Sequence, residues 1–266
     1  MTESNPQSDA GPTPGQGTTP PATSGAAGPR TVDGGQGWNW IAQAWELFKK
    51  NPGIWIANTC ILFILSLVIG LVPVVGSIAG QLLLPVMIGG LMLGCRALDR
   101  GETFEVAHLF AGFKTNTAQL VMVGVFYAIG VLIIAGIVVL VVVLAGGGTL
   151  VAGALGGKGL AMLAGGAFLV LGAVAALIAS LLLIPLLMAM WFAPPLVVFG
   201  NLAALDAMKG SFFACLNNFV PFLVYGLIGV LLAVAASIPL MLGWLVLAPV
   251  LIASVYTGYR DIFQDA

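Results

Sequence analysis

The chain has 266 residues, of which 60% are hydrophobic and 7% charged, with a net charge of −1 and a mean hydropathy of +1.09. An ordinary soluble domain carries roughly 25% charged residues, so this composition excludes a soluble globular protein and predicts an all-α, polytopic membrane protein. Cys60, Cys95 and Cys215 lie far apart with no CxxC spacing, which indicates neither a disulfide framework nor a zinc site.

Residues 1–36 consist largely of Pro, Gly, Ser, Thr, Ala and Gln. They cannot bury enough apolar surface to offset chain entropy, so a disordered tail is expected. The stretch lacks the basic start and apolar core of a secretory signal, so the first spanning helix is expected to remain in the mature protein and direct insertion. From Gly37 the pattern turns helical. Trp38, Ile41, Trp45 and Phe48 fall on one face and Asn39, Gln43, Glu46 and Lys50 on the other, closed by Asn51-Pro52-Gly53. An amphipathic helix at the headgroup boundary is expected there, because indole rings tolerate a half-wet site.

Two spans follow, Ile54 to about Val72 and Ser77 to about Cys95, joined by so short a turn that they must form an antiparallel hairpin. A second amphipathic segment is expected from Thr103 as N-cap, with Glu105 in its first turn, to Lys114. The third span starts near Gln119 and runs to about Leu144; the fourth runs from about Leu160 to Phe192. Both exceed the roughly 20 residues a bilayer requires. The glycine-rich stretch 145–159 between them, with the lone charge Lys158, is expected to be a turn. Its Gly146-Gly147-Gly148 lacks the GxxxxGK[ST] spacing of a phosphate loop. A third amphipathic stretch from Asn201 to Asn217-Asn218 leads into the fifth span, Phe219 to about Ser237, and the sixth, Leu240 to about Tyr259.

The segments repeat. Each unit reads as an amphipathic segment, an asparagine, a span, a turn, and a second span that carries a proline. An aromatic lies six positions before the asparagine in every copy: Trp45 and Asn51, Phe110 and Asn116, Phe212 and Asn218. Asparagine to proline is 34 positions from 51 to 85, 69 from 116 to 185, and 31 from 218 to 249. The middle unit therefore carries an insertion. Pro85, Pro185 and Pro249 mark the second helices, where a proline frees a carbonyl and permits a kink. The expectation is six transmembrane helices as three parallel hairpin repeats, at about 38–100, 103–200 and 201–262, within one domain of residues 37–262. Such repeats imply a pseudo-threefold axis near the membrane normal.

Of nine Lys and Arg, eight lie on the side of the N-terminus and only Lys158 lies opposite, so the positive-inside rule predicts cytoplasmic termini. The six spans read this way contain no Asp, Glu, Lys, Arg or His, the groups that serve proton relays and ion coupling at membrane depth. Sparse polar residues, among them Asn58, Thr59, Ser180, Ser237, Ser254, Tyr256 and Thr257, read as hydrogen-bonding groups between or within helices. His108, the sole histidine, can form neither a metal site nor a triad by itself. No catalytic, cofactor or metal site is predicted.

Gly37-Trp-Asn-Trp-Ile-Ala-Gln-Ala-Trp-Glu-Leu-Phe-Lys-Lys-Asn-Pro52, Trp191-Phe-Ala-Pro-Pro-Leu-Val-Val198 and Ser211-Phe-Phe-Ala-Cys-Leu-Asn-Asn-Phe-Val-Pro-Phe222 resemble an uncharacterised family of bacterial inner-membrane proteins. More distantly the chain is similar to the membrane domain attached to some glycerophosphodiester phosphodiesterases. A histidine often follows the Phe-Ala-Pro segment in the family, where this chain has Gly200. The resemblance implies a six-helix inner-membrane fold and no established activity. Catalysis does not transfer from the phosphodiesterases, whose catalytic part is a separate soluble domain. The expected function is a non-enzymatic lipid-interacting, scaffolding or regulatory component, and the alternative is a permease or channel for a small neutral or amphiphilic solute. The expected partners are membrane lipids and cytoplasmic or membrane proteins, and no nucleic acid.

Overall fold

A computed structural model describes residue 1, residues 28–73 and residues 75–263, apart from the side chains of 144–155, 157–165 and 168. The expected disordered tail falls mostly on residues 2–27, outside the described residues. In chain order the elements are α1 (Gln36–Lys50), α2 (Pro52–Gly70), α3 (Val75–Asp99), a 3-10 helix (Val106–Lys114), α4 (Thr117–Leu155), α5 (Gly157–Trp191), α6 (Ala193–Gly200), α7 (Ala204–Asn217), α8 (Phe219–Ser237) and α9 (Trp244–Phe263). Six stretches are long and apolar enough to cross a membrane: Pro52–Gly70, Val75–Asp99, Thr117–Val143, Leu169–Gly200, Phe219–Ser237 and Trp244–Phe263. Lipid offers the backbone no hydrogen-bond partner, so spanning segments satisfy their amides internally as helices.

The structure corrects the expected turn at 145–159, which lies beyond the spans Thr117–Val143 and Leu169–Gly200. Instead of looping, α4 continues through Gly146-Gly147-Gly148 to Leu155, and α5 starts at Gly157 with the break at Gly156. A glycine costs a helix about 1 kcal/mol relative to alanine, but extending an existing helix requires no new nucleus, so three glycines do not end α4. At about 1.5 Å per residue α4 is about 58 Å long, nearly twice the hydrocarbon core of a bilayer.

Three other boundaries differ. First, α3 and α9 run a turn beyond the expected ends, to Asp99 and Phe263, so Arg96, Asp99, Arg260 and Asp261 stand on spanning helices at their charged ends. Second, the segment expected to start at Thr103 is a 3-10 helix whose N-cap is Glu105. His108 closes that cap, its Nδ1 accepting the Glu105 amide at 3.1 Å. Third, the sixth span, expected from Leu240, starts only at Trp244, because Leu240 and Met241 are left-handed (φ 50° and 63°); α5 ends at Trp191, beside the expected Phe192, because Pro194 and Pro195 lack amides and disfavour helix before them. The buried Ser211 hydroxyl finishes that end, donating to Met188 O at 2.6 Å and accepting the Phe192 amide at 2.8 Å. The short helix α6 that follows has no counterpart in the sequence reading.

At the charged end each short helix packs chiefly on a proline-bearing helix: α1 on α9, the 3-10 helix on α3, and α7 on α5. Close approach there depends on glycine. A Cβ on Gly112 would lie 1.9 Å from Val86 O, and one on Gly37 would lie 2.2 Å from Pro221 O, so backbone meets backbone at both crossings. The α1 face differs from the expected one. Trp40, Ile41, Ala44, Leu47 and Phe48 are buried, whereas Trp38 and Trp45 are exposed. The core between these elements is filled by Leu91, Met92, Leu120, Val123 and Tyr256.

Candidate functional site

The three asparagines stand at the N-termini of α2, α4 and α8, where four amides lack intrahelical partners. Asn51 accepts the Ile54 amide at 3.4 Å and donates to Phe104 O, just ahead of the 3-10 helix. Asn116 is left-handed (φ 53°) and donates to Val197 O at 3.0 Å and Asn201 Oδ1 at 2.8 Å, on the path into α7. Asn218 accepts the Val32 amide at 2.8 Å and donates to Arg30 O at 3.0 Å and Ala214 O at 2.9 Å. Two of its partners lie on the path into α1. Each asparagine thus holds the chain entering another short helix, and Asn51 alone also caps its own helix with its side chain.

The other singled-out positions are less alike. Trp45 and Phe110 are exposed to nearly the same degree, 42% and 43%, while Phe212 is half-buried. Pro85 and Pro249 are buried inside α3 and α9, whereas Pro185 is exposed on α5. The middle proline lacks a neighbour because α5 and α8 scarcely touch, although α4 packs closely on α3.

Around the asparagines the charged end is cross-tied. Arg260 Nη1 donates to both Asp99 oxygens at 2.8 and 2.7 Å, and its Nη2 donates to Gln43 Oε1 at 2.6 Å. Tyr256 Oη donates to Asp99 Oδ2 at 3.1 Å. Asp261 accepts from Trp40 Nε1 and from Arg30 Nη2, both at 2.8 Å. The Arg96 guanidinium lies 4.5 Å from the Phe199 ring centroid, a cation–π geometry. Sequence reasoning singled out none of these pairs. The one available signal was the equal spacing from Pro85 to Arg96 and from Pro249 to Arg260.

Most of the sparse polar residues satisfy local carbonyls: Thr59 donates to Trp55 O, Ser180 to Ala176 O and Ser237 to Ala233 O. Thr257 ties α9 to α1 through Trp40 O at 2.8 Å, and Ser254 pairs with Tyr225 at 2.8 Å. Asn58 departs from the pattern, because neither its side-chain amide nor the neighbouring Trp55 indole N–H has a partner among the described residues.

Where α5 and α8 part, an apolar crevice of about 360 Å³ opens at membrane depth. Ile88 of α3, Trp191 of α5, Gly226 and Gly229 of α8, and Leu251 and Val255 of α9 line it. Toward the charged end it is walled by aromatics: the Trp191 ring meets Tyr225 at 5.7 Å and Phe222 at 5.9 Å, both edge-on. Gly226 and Gly229 leave room, since a Cβ at either would meet nothing within 4 Å.

Cys215 on α7 is buried and contacts Met188 O at 3.6 Å. Burial pushes its thiol up to about 12 from an ordinary 9.0, with the Ser211 hydrogen bond acting in the opposite direction. The folded state therefore favours the neutral thiol. Stability from this group is complete below pH 9 and is lost as pH rises toward 12. With Cys60 and Cys95 replaced by alanine, Cys215 is expected to resist N-ethylmaleimide at pH 8 until the protein is denatured. Rapid labelling of the folded protein would refute the packing described.

The chain is 29% identical over 249 residues to a probable inner membrane protein of Burkholderia thailandensis, a match covering 85% of this chain and 90% of that protein. No family model matches and no solved structure matches. The expected likeness to the phosphodiesterase membrane domain is not shown by these comparisons. Six apolar spans, together with a likeness along most of both chains, describe a multi-pass inner-membrane protein.

Proposed function

We propose that this protein is a non-enzymatic, lipid-interacting component of the inner membrane that admits an acyl chain between α5 and α8. The observation that carries this reading is the crevice, apolar and open at membrane depth, with Trp191 and Tyr225 at its charged end. Hydrocarbon suits such a space, because water requires two to four polar partners. A scaffolding or regulatory role toward cytoplasmic or membrane proteins would act through the short helices at the charged end.

The architecture we infer is three hairpin repeats about a pseudo-threefold axis, with both termini cytoplasmic. Supporting it, the packing of α1 on α9, the 3-10 helix on α3 and α7 on α5 steps around a ring. The asparagine ties step the same way, from Asn51 to Phe104, Asn116 to Asn201 and Asn218 to Arg30. The orientation rests on eight of nine basic residues lying at the charged end.

A permease is the weaker reading, since Leu91, Met92, Leu120 and Tyr256 fill the space between the helices. The two readings separate in a deletion strain profiled for phospholipid composition and for uptake of small neutral solutes. Loss of the protein is expected to shift the lipid profile and leave uptake unchanged. Gly229→Phe, which fills the crevice, is expected to reach wild-type levels in the membrane yet fail to restore the profile. Altered uptake with an unchanged lipid profile would favour the permease instead.

A further inference from the structure

A second groove lies on another face of the α8–α9 pair. The two helices are joined by residues 238–243 but touch little along their length. Between them a cavity of about 500 Å³ is lined by Leu232 and Ala235 of α8 and by Val246, Leu247 and Val250 of α9. Those residues fall within the spans Phe219–Ser237 and Trp244–Phe263. The groove is therefore a slot at acyl-chain depth, with an apolar lining.

Its rim at the charged end is built differently. There α1 packs across both helices and contributes Trp38, Trp45 and Glu46 to the lining. The two indoles are 53% and 42% exposed, so burial in this chain does not explain them. Glu46 Oε1 lies 2.8 Å from Lys49 Nζ on the same helix, and both side chains are largely exposed. The lining thus joins hydrocarbon from α8 and α9 to two indoles and one carboxylate from α1, with Lys49 paired to that carboxylate beside the groove.

That lining matches a phospholipid entering from the charged side, with its chain in the slot and its ester region beside the indoles. The charges fix the head group. A phosphate suits Lys49 as an ammonium-assisted hydrogen-bond acceptor, and an amine suits the Glu46 carboxylate and the face of an indole. Lys49 already neutralises Glu46, so an anionic lipid without an amine would leave one negative charge unbalanced at the rim, whereas a zwitterionic one adds no net charge. We propose that this groove is a binding site for one zwitterionic, amine-bearing phospholipid, distinct from the crevice between α5 and α8.

The test uses the full chain in nanodiscs of equal phosphatidylethanolamine and phosphatidylglycerol, released into native mass spectrometry. Wild type is expected to retain phosphatidylethanolamine in the groove in addition to any lipid in the crevice, and Gly229→Phe, with the crevice filled, is expected to retain one. Ala235→Phe, whose side chain would occupy the slot from an exposed position, is expected to lose the groove lipid. Glu46→Lys is expected to retain a lipid but to switch to phosphatidylglycerol, a readout independent of how well Ala235→Phe folds. The proposal is overturned by wild type that retains no lipid or prefers phosphatidylglycerol, or by Ala235→Phe with wild-type retention. It is also overturned if Glu46→Lys keeps phosphatidylethanolamine, or if Gly229→Phe removes the lipid.

Discussion

Gly112→Ala is expected to destabilise the protein by about 3 kcal/mol and to lift the 3-10 helix off α3. The added Cβ would lie 1.9 Å from Val86 O and 3.1 Å from the Gly90 amide nitrogen, so both neighbours are backbone and neither can rotate away. Across the same contact a Cβ on Gly90 would lie 2.5 Å from His108 O. The crossing therefore depends on two glycines facing each other, as tight helix contacts in membranes commonly do. The comparison is Gly136→Ala on α4, where a Cβ meets nothing within 4 Å. Alanine is the better helix former by about 1 kcal/mol, so that variant is expected to be neutral or slightly more stable. Thermal half-retention of the monodisperse peak in detergent reads both. Equal behaviour of the two variants would contradict the crossing.

Asn218→Ala carries the second large effect. The side chain is 1% exposed and makes three hydrogen bonds, two of them to Arg30 and Val32, far away in sequence. At about 1 kcal/mol each, with partners left unpaired on buried backbone, the loss is about 3 kcal/mol. The change also has a local signature. Arg30 and Val32 are held by Asn218 at one side and Asp261 at the other, so releasing one anchor is expected to expose the bond after Arg30 to trypsin. Cleavage there should be faster in Asn218→Ala than in wild type. In Asn218→Asp, which keeps the acceptor for Val32 and loses the donor, it should be intermediate. An unchanged cleavage rate would show that the segment is held by other contacts.

The same asparagines show how far the sequence could be read. Their recurrence is legible from spacing, an aromatic lying six positions before each, although only Asn51 caps the helix it precedes. What they bond to was not, since Asn218 and its partner Arg30 are 188 positions apart. The spans were legible from hydropathy, yet their ends were placed short, because a charged residue was read as leaving the membrane when α3 and α9 continue a turn with Asp99 and Arg260 paired. Gly146-Gly147-Gly148 was read as a turn by the chemistry of water, whereas the backbone there is helical. Trp38 and Trp45 were grouped with Ile41 and Phe48 by periodicity alone, and the packing of α1 on α8 and α9 chose a neighbouring face. Neither apolar space could be found in the sequence, because each is made by helices that touch little or not at all.

The central claim, that lipid enters between α5 and α8, is tested most directly by photolabelling. Wild-type protein in liposomes would be irradiated with a phospholipid carrying a diazirine in its acyl chain, and the adducts mapped by peptide mass spectrometry. The account predicts enrichment on the crevice wall, at Trp191 of α5, Gly226, Gly229 and Val230 of α8 and Val255 of α9, above the level on the outward-facing α4 residues Leu132, Val139 and Leu140. Labelling spread evenly over all lipid-facing helices, with no excess at the crevice, would contradict it.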